Sequence, residues 1–556
     1  MSTAWWKKAV VYQIYPKSFN DTTGNGTGDI QGIIEKLDYL KELGVDVLWL
    51  TPIYKSPQRD NGYDISDYYS IHEEYGTMKD FDLLLEEAHQ RGIKIIMDIV
   101  INHTSTEHEW FKQAKSSKDN PYRDFYIWKD GKNGEPPTNW ESKFGGSAWE
   151  FDEATEEYYL HLFDVTQADL NWENEKLRAA LYGMMHFWLK KGVDGFRLDV
   201  INLISKDRHF PQDDSDGRKF YTDGPRIHEF LHEMNEQVFS KYDIMTVGEM
   251  SSTSIDNCIR YTNPDQEELN MTFSFHHLKV DYPNGDKWTK ADFDFQALKD
   301  ILSKWQIEMN EGGGWNALFW CNHDQPRAVS RFGDDNHYHK ESAKMLATTL
   351  HLMQGTPYIY QGEEFGMTNP NFNSIDEYRD IESLNMFQIL KNRGLAEQEI
   401  MGILKQKSRD NSRTPVQWDD SKNSGFTTGT PWIDTAANYK EINAEKAVQD
   451  ADSIFYHYQK LIQLRKEVDV ITDGNFELIL ELDPELFAFI RTNGAEKILV
   501  INNFYGREKR FTLSSQLNLD DYASEMLLSN YGDSPFQPSK EMVLRPFESI
   551  VYHLKK

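Results

Sequence analysis

The sequence predicts a (β/α)8 TIM barrel with a small inserted loop-rich α/β domain after the third strand and a C-terminal antiparallel β-sandwich. Three observations predict it. Eight short, nearly all-apolar runs occur up to Glu364, as strands buried on both faces require. Amphipathic helical patterns lie between them, the alternation of a parallel α/β fold. From about Gly474 onward only short strand-like runs follow.

The first run, AVVYQIYP, ends at Pro16. VDVLWLTP (45–52), IKIIMDIV (93–100), VDGFRLDV (193–200) and DIMTVGEM (243–250) follow. MTFSF ends at Phe275, NALFWCNHD at Asp324 and PYIYQGEE at Glu364. Between the first two, IIEKLDYLKELG places Ile34, Leu37 and Tyr39–Leu40 on one helical stripe, with Gly44 as its stop. FDLLLEEAHQRG repeats the scheme and ends at Gly92. The alternative is a doubly wound open sheet, which usually carries a glycine-rich phosphate loop after its first strand. None follows Pro16. Residues 104–170 break the alternation with the aromatic, loop-rich stretch YRDFYIWKDGKNGEPPTNWESKFGGSAWE. The barrel is therefore assigned to 1–103 and 171–473, the insertion to 104–170 and the sandwich to 474–556. The sandwich strands are FELIL, LFAFIRT, KILVINNF and ESIVYHL.

Asp and Glu number 90 against 60 Lys and Arg, a net charge of -30 that repels nucleic-acid phosphates. Only Cys258 and Cys321 are present, too few for a disulfide framework and suited to a reducing cytoplasm. The N-terminus shows no signal-peptide h-region, and no run of about 18 apolar residues could span a bilayer. A cytoplasmic, monomeric enzyme acting on a small molecule is expected, with no membrane or nucleic-acid partner and no organic cofactor.

Catalytic groups of such a barrel sit at the C-terminal ends of its strands. Asp98 and Asn102–His103 follow the third strand, Arg197 and Asp199 end the fourth, Glu249 ends the fifth, and His323 and Asp324 end the seventh. Clustered carboxylates repel one another unless a cation compensates. Arg197 shares a strand face with Asp199 and is expected to hold it ionised. Glycoside cleavage needs two carboxyl groups in different protonation states. Asp199 suits the nucleophile and Glu249 the acid, raised by its negative neighbours.

DIVINH, GFRLDVI, VGEM and NHDQPR resemble the signature segments of the α-amylase superfamily, glycoside hydrolase family 13. QADLNWEN is similar to a further segment of its oligo-1,6-glucosidase group, with Ala168 where proline is usual. The resemblance implies that Asp199 is the nucleophile of a retaining mechanism, Glu249 the general acid/base, and Asp324 a catalytic carboxylate that binds sugar hydroxyls. It also implies that Asp60, Tyr63, Asp98, His103, Arg197 and His323 bind the glucose to be transferred. Arg409 would pair with Asp60 and close the pocket, with Arg413 as the rival for that role. A non-catalytic amylase-like scaffold is the alternative from another class. It would have a membrane anchor and lack the carboxylates.

DTTGNGTGD places oxygen-bearing residues at alternate positions: Asp21, Thr23, Asn25, Thr27 and Asp29. That is the spacing of an EF-hand loop without its twelfth-position glutamate, since Gly32 stands there. The resemblance implies one structural Ca2+ in this loop, with Thr27 offering its carbonyl.

FSFHHLKVDYPNGDKW (273–288) gathers basic residues in an acidic chain. Beside the carboxylates a phosphate dianion would be repelled. A phosphate is expected on the leaving sugar instead, met by His276, Lys279 and Lys287. The whole chain resembles the family's phospho-α-(1,1)-glucosidases, which implies a phosphorylated disaccharide as substrate. The alternative within the family is an oligo-1,6-glucosidase acting on isomaltose-type sugars.

Overall fold

The computed structural model describes residues 4–514, 517 and 519–556, so the other residues of the assigned barrel and sandwich ranges lie outside it. Eight strands form a closed barrel. They are β1 (Val11–Ile14), β2 (Val47–Leu50), β3 (Lys94–Ile99), β4 (Gly195–Leu198), β5 (Met245–Met250), β6 (Met271–Ser274), β7 (Asn316–Leu318) and β8 (Thr356–Tyr360). Their order is β1-β8-β7-β6-β5-β4-β3-β2, so every strand lies beside its neighbours in sequence. Closure excludes the open doubly wound sheet. All eight expected strands are present, each shorter than its apolar run. β4 starts at Gly195 because β5 passes too close for a side chain there: a Cβ would lie 1.9 Å from the Met245 carbonyl oxygen.

The expected helix after β1 is two helices, Ile30–Glu35 and Leu37–Leu43, interrupted at Lys36. The buried stripe is Ile30, Ile33, Leu37, Leu40 and Leu43. Ile34 and Tyr39 are only partly buried, which corrects the expected stripe. Gly44 is the stop, in the left-handed region at φ 97° with its N–H on the Leu40 carbonyl. The helix Met78–Gln90 begins with a Thr77–Asp80 capping box.

The chain packs as two compact units, residues 29–34 with 48–275, and residues 1–28 and 35–47 with 276–556. The first of these carries β3 to β6 and the insertion. His103–Ser105 pairs antiparallel with Gln167–Asp169 at the root of the insertion. Trp128–Lys129, Glu157–Leu160 and Trp149–Asp152 form its three-stranded sheet. Trp140, Trp149, Leu160 and Leu162 pack on Val200, Leu203 and Phe210, so the insertion buttresses the segment that follows Asp199.

The other unit carries β1, β7, β8 and the C-terminal sheets. β9 (Asn475–Ile479), β10 (Leu486–Asn493), β11 (Glu496–Asn503), β12 (Lys509–Thr512), β13 (Ala523–Ser529), β14 (Glu541–Leu544) and β15 (Ser549–Lys555) complete the fold. One sheet has the order β9-β10-β11-β15-β13, and β12 pairs with β14. Leu486, Ala488, Ile490, Leu499, Ile501, Ile550 and Tyr552 pack against Phe511, Leu513, Met542 and Leu544. These alternating inward residues make the expected sandwich core.

Candidate active site

In the unit of β3 to β6, register decides the first cluster. Arg197 of β4 is directly opposite Asp98 of β3 and Val247 of β5. Two residues on along each strand, Asp199 and Glu249 share its face. Arg197 Nη1 lies 2.7 Å from Asp98 Oδ1 and 2.6 Å from Asp199 Oδ1, and Nη2 lies 2.7 Å from Glu249 Oε2. Three carboxylates thus share one guanidinium. Trp49 Nε1 and the Tyr63 hydroxyl donate to Asp98 Oδ2 at 3.2 and 3.0 Å. The ring faces of Trp49 and Tyr63 lie 5.0 and 5.9 Å from the guanidinium carbon.

Burial raises Asp98 to about 6 despite Arg197. Burial also drives Asp199 well above the usual carboxylate range, with Glu249 and Asp98 adding to it and Arg197 opposing. Arg197 favours the ionised form of Asp199, but its guanidinium is divided among three partners. The residue after Asp199 is strained. Val200 sits in the left-handed region at φ 36°, ψ 41°, costly for a β-branched side chain. That turn sends its N–H to Glu249 Oε2 at 3.1 Å.

His103 is fully buried and burial pushes it down to about 4, so it is neutral. Its Nε2 lies 3.2 Å from the Tyr63 carbonyl oxygen and its Nδ1 3.2 Å from Asn102 Nδ2. Asp60 accepts from Gln167 Nε2 at 3.0 Å.

In the other unit, His323 Nδ1 lies 2.8 Å from Gln13 Nε2, and Tyr15 stacks on the His323 ring with centroids 6.0 Å apart. Asp324 takes Arg413 Nη2 at 2.6 Å and Arg409 Nη1 at 3.5 Å, so the two rival arginines both grip it. Burial opposes its ionisation, but His323, Arg409 and Arg413 outweigh this and hold Asp324 far below the carboxylate range. Its side chain is 30% exposed, against 0% for Asp98, 9% for Asp199 and 8% for Glu249. Asp324 is therefore the most exposed of these four carboxylates. Asp380 braces the arginines, 2.5 Å from Arg409 Nη2.

Lys287, expected at the phosphate, is bound to Glu382 at 2.8 and 3.0 Å. His276 packs on Trp305 with centroids 5.2 Å apart. His277 is buried, with Nε2 2.8 Å from the Phe319 carbonyl oxygen. Lys279 is exposed.

In the 21–27 loop, Asp21 accepts from the N–H groups of Thr23, Gly24 and Gly26 and from the Thr23 and Thr427 hydroxyls. Asn25 Oδ1 accepts from the Thr27 N–H at 2.8 Å. Asp29 accepts from the Gly32 N–H at 2.6 Å. Among the described residues, no three or more His, Cys, Asp or Glu gather as a metal site.

Sequence reasoning missed Tyr15, Gln13, Trp49, Asp380 and Glu382. Tyr15 and Gln13 were findable at the end of β1. Asp380 and Glu382 lie in YRDIESL, which carries no strand-end signal. Val200 was in view, but its backbone strain leaves no mark in composition.

Residues 13–474 match the model of the alpha amylase catalytic domain. Residues 486–551 match that of the alpha-amylase SusG C-terminal domain. The chain is 69% identical to a trehalose-6-phosphate hydrolase of Bacillus subtilis, over 100% of this chain and 99% of that one. It is 57% identical to an oligo-1,6-glucosidase of Parageobacillus thermoglucosidasius, over 100% of both. The crystal structure of Bacillus licheniformis trehalose-6-phosphate hydrolase superposes with a TM-score of 0.97 at 70% identity, covering 100% of both chains.

Proposed function

This chain belongs to the α-amylase family, and from that premise we propose that it is a retaining α-glucosidase that hydrolyses trehalose 6-phosphate to glucose and glucose 6-phosphate. The carrying observation is its 69% and 70% identity, end to end, to two trehalose-6-phosphate hydrolases, against 57% to the oligo-1,6-glucosidase. The carboxylates around Arg197 support the chemistry. Asp199 attacks the anomeric carbon and forms a glycosyl-enzyme. Glu249 protonates the leaving oxygen, then activates the water that releases glucose. Glu249 Oε2 is held by Arg197 and the Val200 N–H, so Oε1 is the oxygen for proton transfer. Burial raises Asp98 and Asp199 above the usual carboxylate range, and acid catalysis requires a proton on Glu249. Asp324 binds hydroxyls of the transferred glucose. Lys279 meets the phosphate of the leaving sugar.

The test compares kcat/KM on trehalose 6-phosphate, plain trehalose and isomaltose. The phosphorylated sugar should be preferred by at least about tenfold, the worth of one charge-assisted contact. Preference for isomaltose or plain trehalose refutes the reading.

The 21–27 loop is proposed to hold a calcium ion through Asp21, Thr23, Asn25 and the Thr27 carbonyl, an oxygen set that fits a hard cation. Asp21 is already satisfied by the loop's own donors, so the ion would add only modest stability. Elemental analysis and melting with chelator or added calcium check it. No metal and no shift would end the idea.

A further inference from the structure

A buried chain of hydrogen bonds runs from His103 to a lysine that the glycosidase chemistry does not use. Lys206 Nζ lies 2.7 Å from Asn102 Oδ1 and 2.8 Å from Asp169 Oδ2. Asn102 Nδ2 lies 3.1 Å from Asp169 Oδ2 and 3.2 Å from His103 Nδ1. All four residues are buried, with Lys206 at 6% exposure and Asn102 and Asp169 at 0%.

Donor and acceptor roles along this chain are forced. An ammonium only donates, so Asn102 must present its carbonyl oxygen to Lys206. Its amide then has to point the other way, where it donates to Asp169 and to His103 Nδ1. A nitrogen that accepts carries no proton, so the His103 proton sits on Nε2. There it faces the Tyr63 carbonyl, an acceptor, at 3.2 Å. Gln167 Nε2, also 3.2 Å away, gives one N–H to Asp60, and its second N–H must turn away from a protonated Nε2.

Charge acts in the same direction. Burial disfavours an imidazolium; Asp169 beside the ring favours one, and Lys206 opposes Asp169. Gln167 stands between the ring and Asp60. We propose that Lys206 is a positioning residue that, through Asn102, holds His103 as the neutral tautomer protonated on Nε2, a proton that a hydroxyl of the bound sugar would share with the Tyr63 carbonyl. The last clause rests on the function proposed above; the tautomer does not.

The test uses the full chain with 15N-labelled histidine and no substrate, the His103 signals being identified by their loss in His103→Gln. The wild type should show a protonated Nε2 and a bare Nδ1. In Lys206→Met the Nδ1-protonated form or the imidazolium should appear, and the acid limb of kcat/KM should move to higher pH. Activity should drop about ten- to a hundredfold, as when the partner orienting a functional histidine is lost. If stranding Asp169 unfolds that variant, Lys206→Met/Asp169→Asn removes both charges and should still mix the tautomers. A folded variant whose His103 stays protonated on Nε2 alone overturns the proposal, as does a wild type protonated on Nδ1. A wild type with the expected tautomer and no action on trehalose 6-phosphate would sink the function instead.

Discussion

Asp199→Asn should abolish turnover and yet stabilise the fold. The structure places three buried carboxylates on one guanidinium, so their charges do not balance. Removing the Asp199 charge loses one attraction, at a contact of 2.6 Å to Arg197 Nη1. It also relieves repulsion from Asp98 and Glu249. With all three carboxylates ionised, as in mild alkali, charge centres about 4 Å apart for the attraction and about 5 Å for each repulsion, at an effective dielectric of about 20, make the loss about 4 kcal/mol and the relief about 3 kcal/mol twice over. The net gain is about 2 kcal/mol, or about 2 °C in Tm for 556 residues. Asparagine keeps an oxygen for Arg197, so no buried donor is stranded. The sign with pH follows from the raised pKa of Asp199. A carboxyl raised in the folded state binds its proton more tightly there. Wild-type stability from this group is present below the unfolded value near 3.9 and is lost as pH rises through the folded value. The advantage of Asp199→Asn should therefore grow with pH and vanish in acid. Scanning calorimetry at matched rates from acid to mild alkali measures it. Turnover should drop by about four orders of magnitude, about 5.5 kcal/mol of barrier. A variant that melts several degrees below wild type at neutral pH would refute the charge accounting, and near-normal turnover would refute the nucleophile.

Proton NMR should show α-glucose as the first-formed anomer, because two carboxyls gripped by one guanidinium leave no room for an inverting water; a β product contradicts this. Lys279→Ala should raise KM for trehalose 6-phosphate about tenfold, from the loss of about 1.5 kcal/mol of charge-assisted bonding, and leave p-nitrophenyl α-glucoside hydrolysis unchanged. Equal damage to both substrates removes Lys279 from phosphate recognition. Burial pushes His351 and His457 down to about 3, so the folded state binds fewer protons than the unfolded one. Their stability is present above about pH 6.5 and lost as pH falls toward 3. Replacing His351 with Leu should flatten the loss of Tm between pH 7 and pH 5, and an unchanged slope would show that this histidine does not contribute.

The barrel was legible because each strand is a short apolar run and each helix a periodic one, signals carried by adjacent residues. β12, β13 and β14 were not. β13 and β14 alternate exposed with half-buried or buried positions and contain few strong apolar runs. The break at Lys36 was equally silent, since the apolar spacing of Ile30, Ile33, Leu37 and Leu40 runs through it as through one helix. At the site, period two alone put Arg197 and Asp199 on one side of β4, and the family's segments marked the carboxylates.

What the sequence determined by itself was therefore the alternation of elements, the strand ends that carry polar groups, and the family. Tertiary structure decided how charges are shared. Lys287 belongs to Glu382, 95 residues away, and Lys206 to Asn102, 104 residues away. Arg197 serves three carboxylates on three adjacent strands. Local patterns arise from neighbours along the chain, whereas a buried charge takes the nearest counter-charge in space, and that neighbour exists only after the strands have closed.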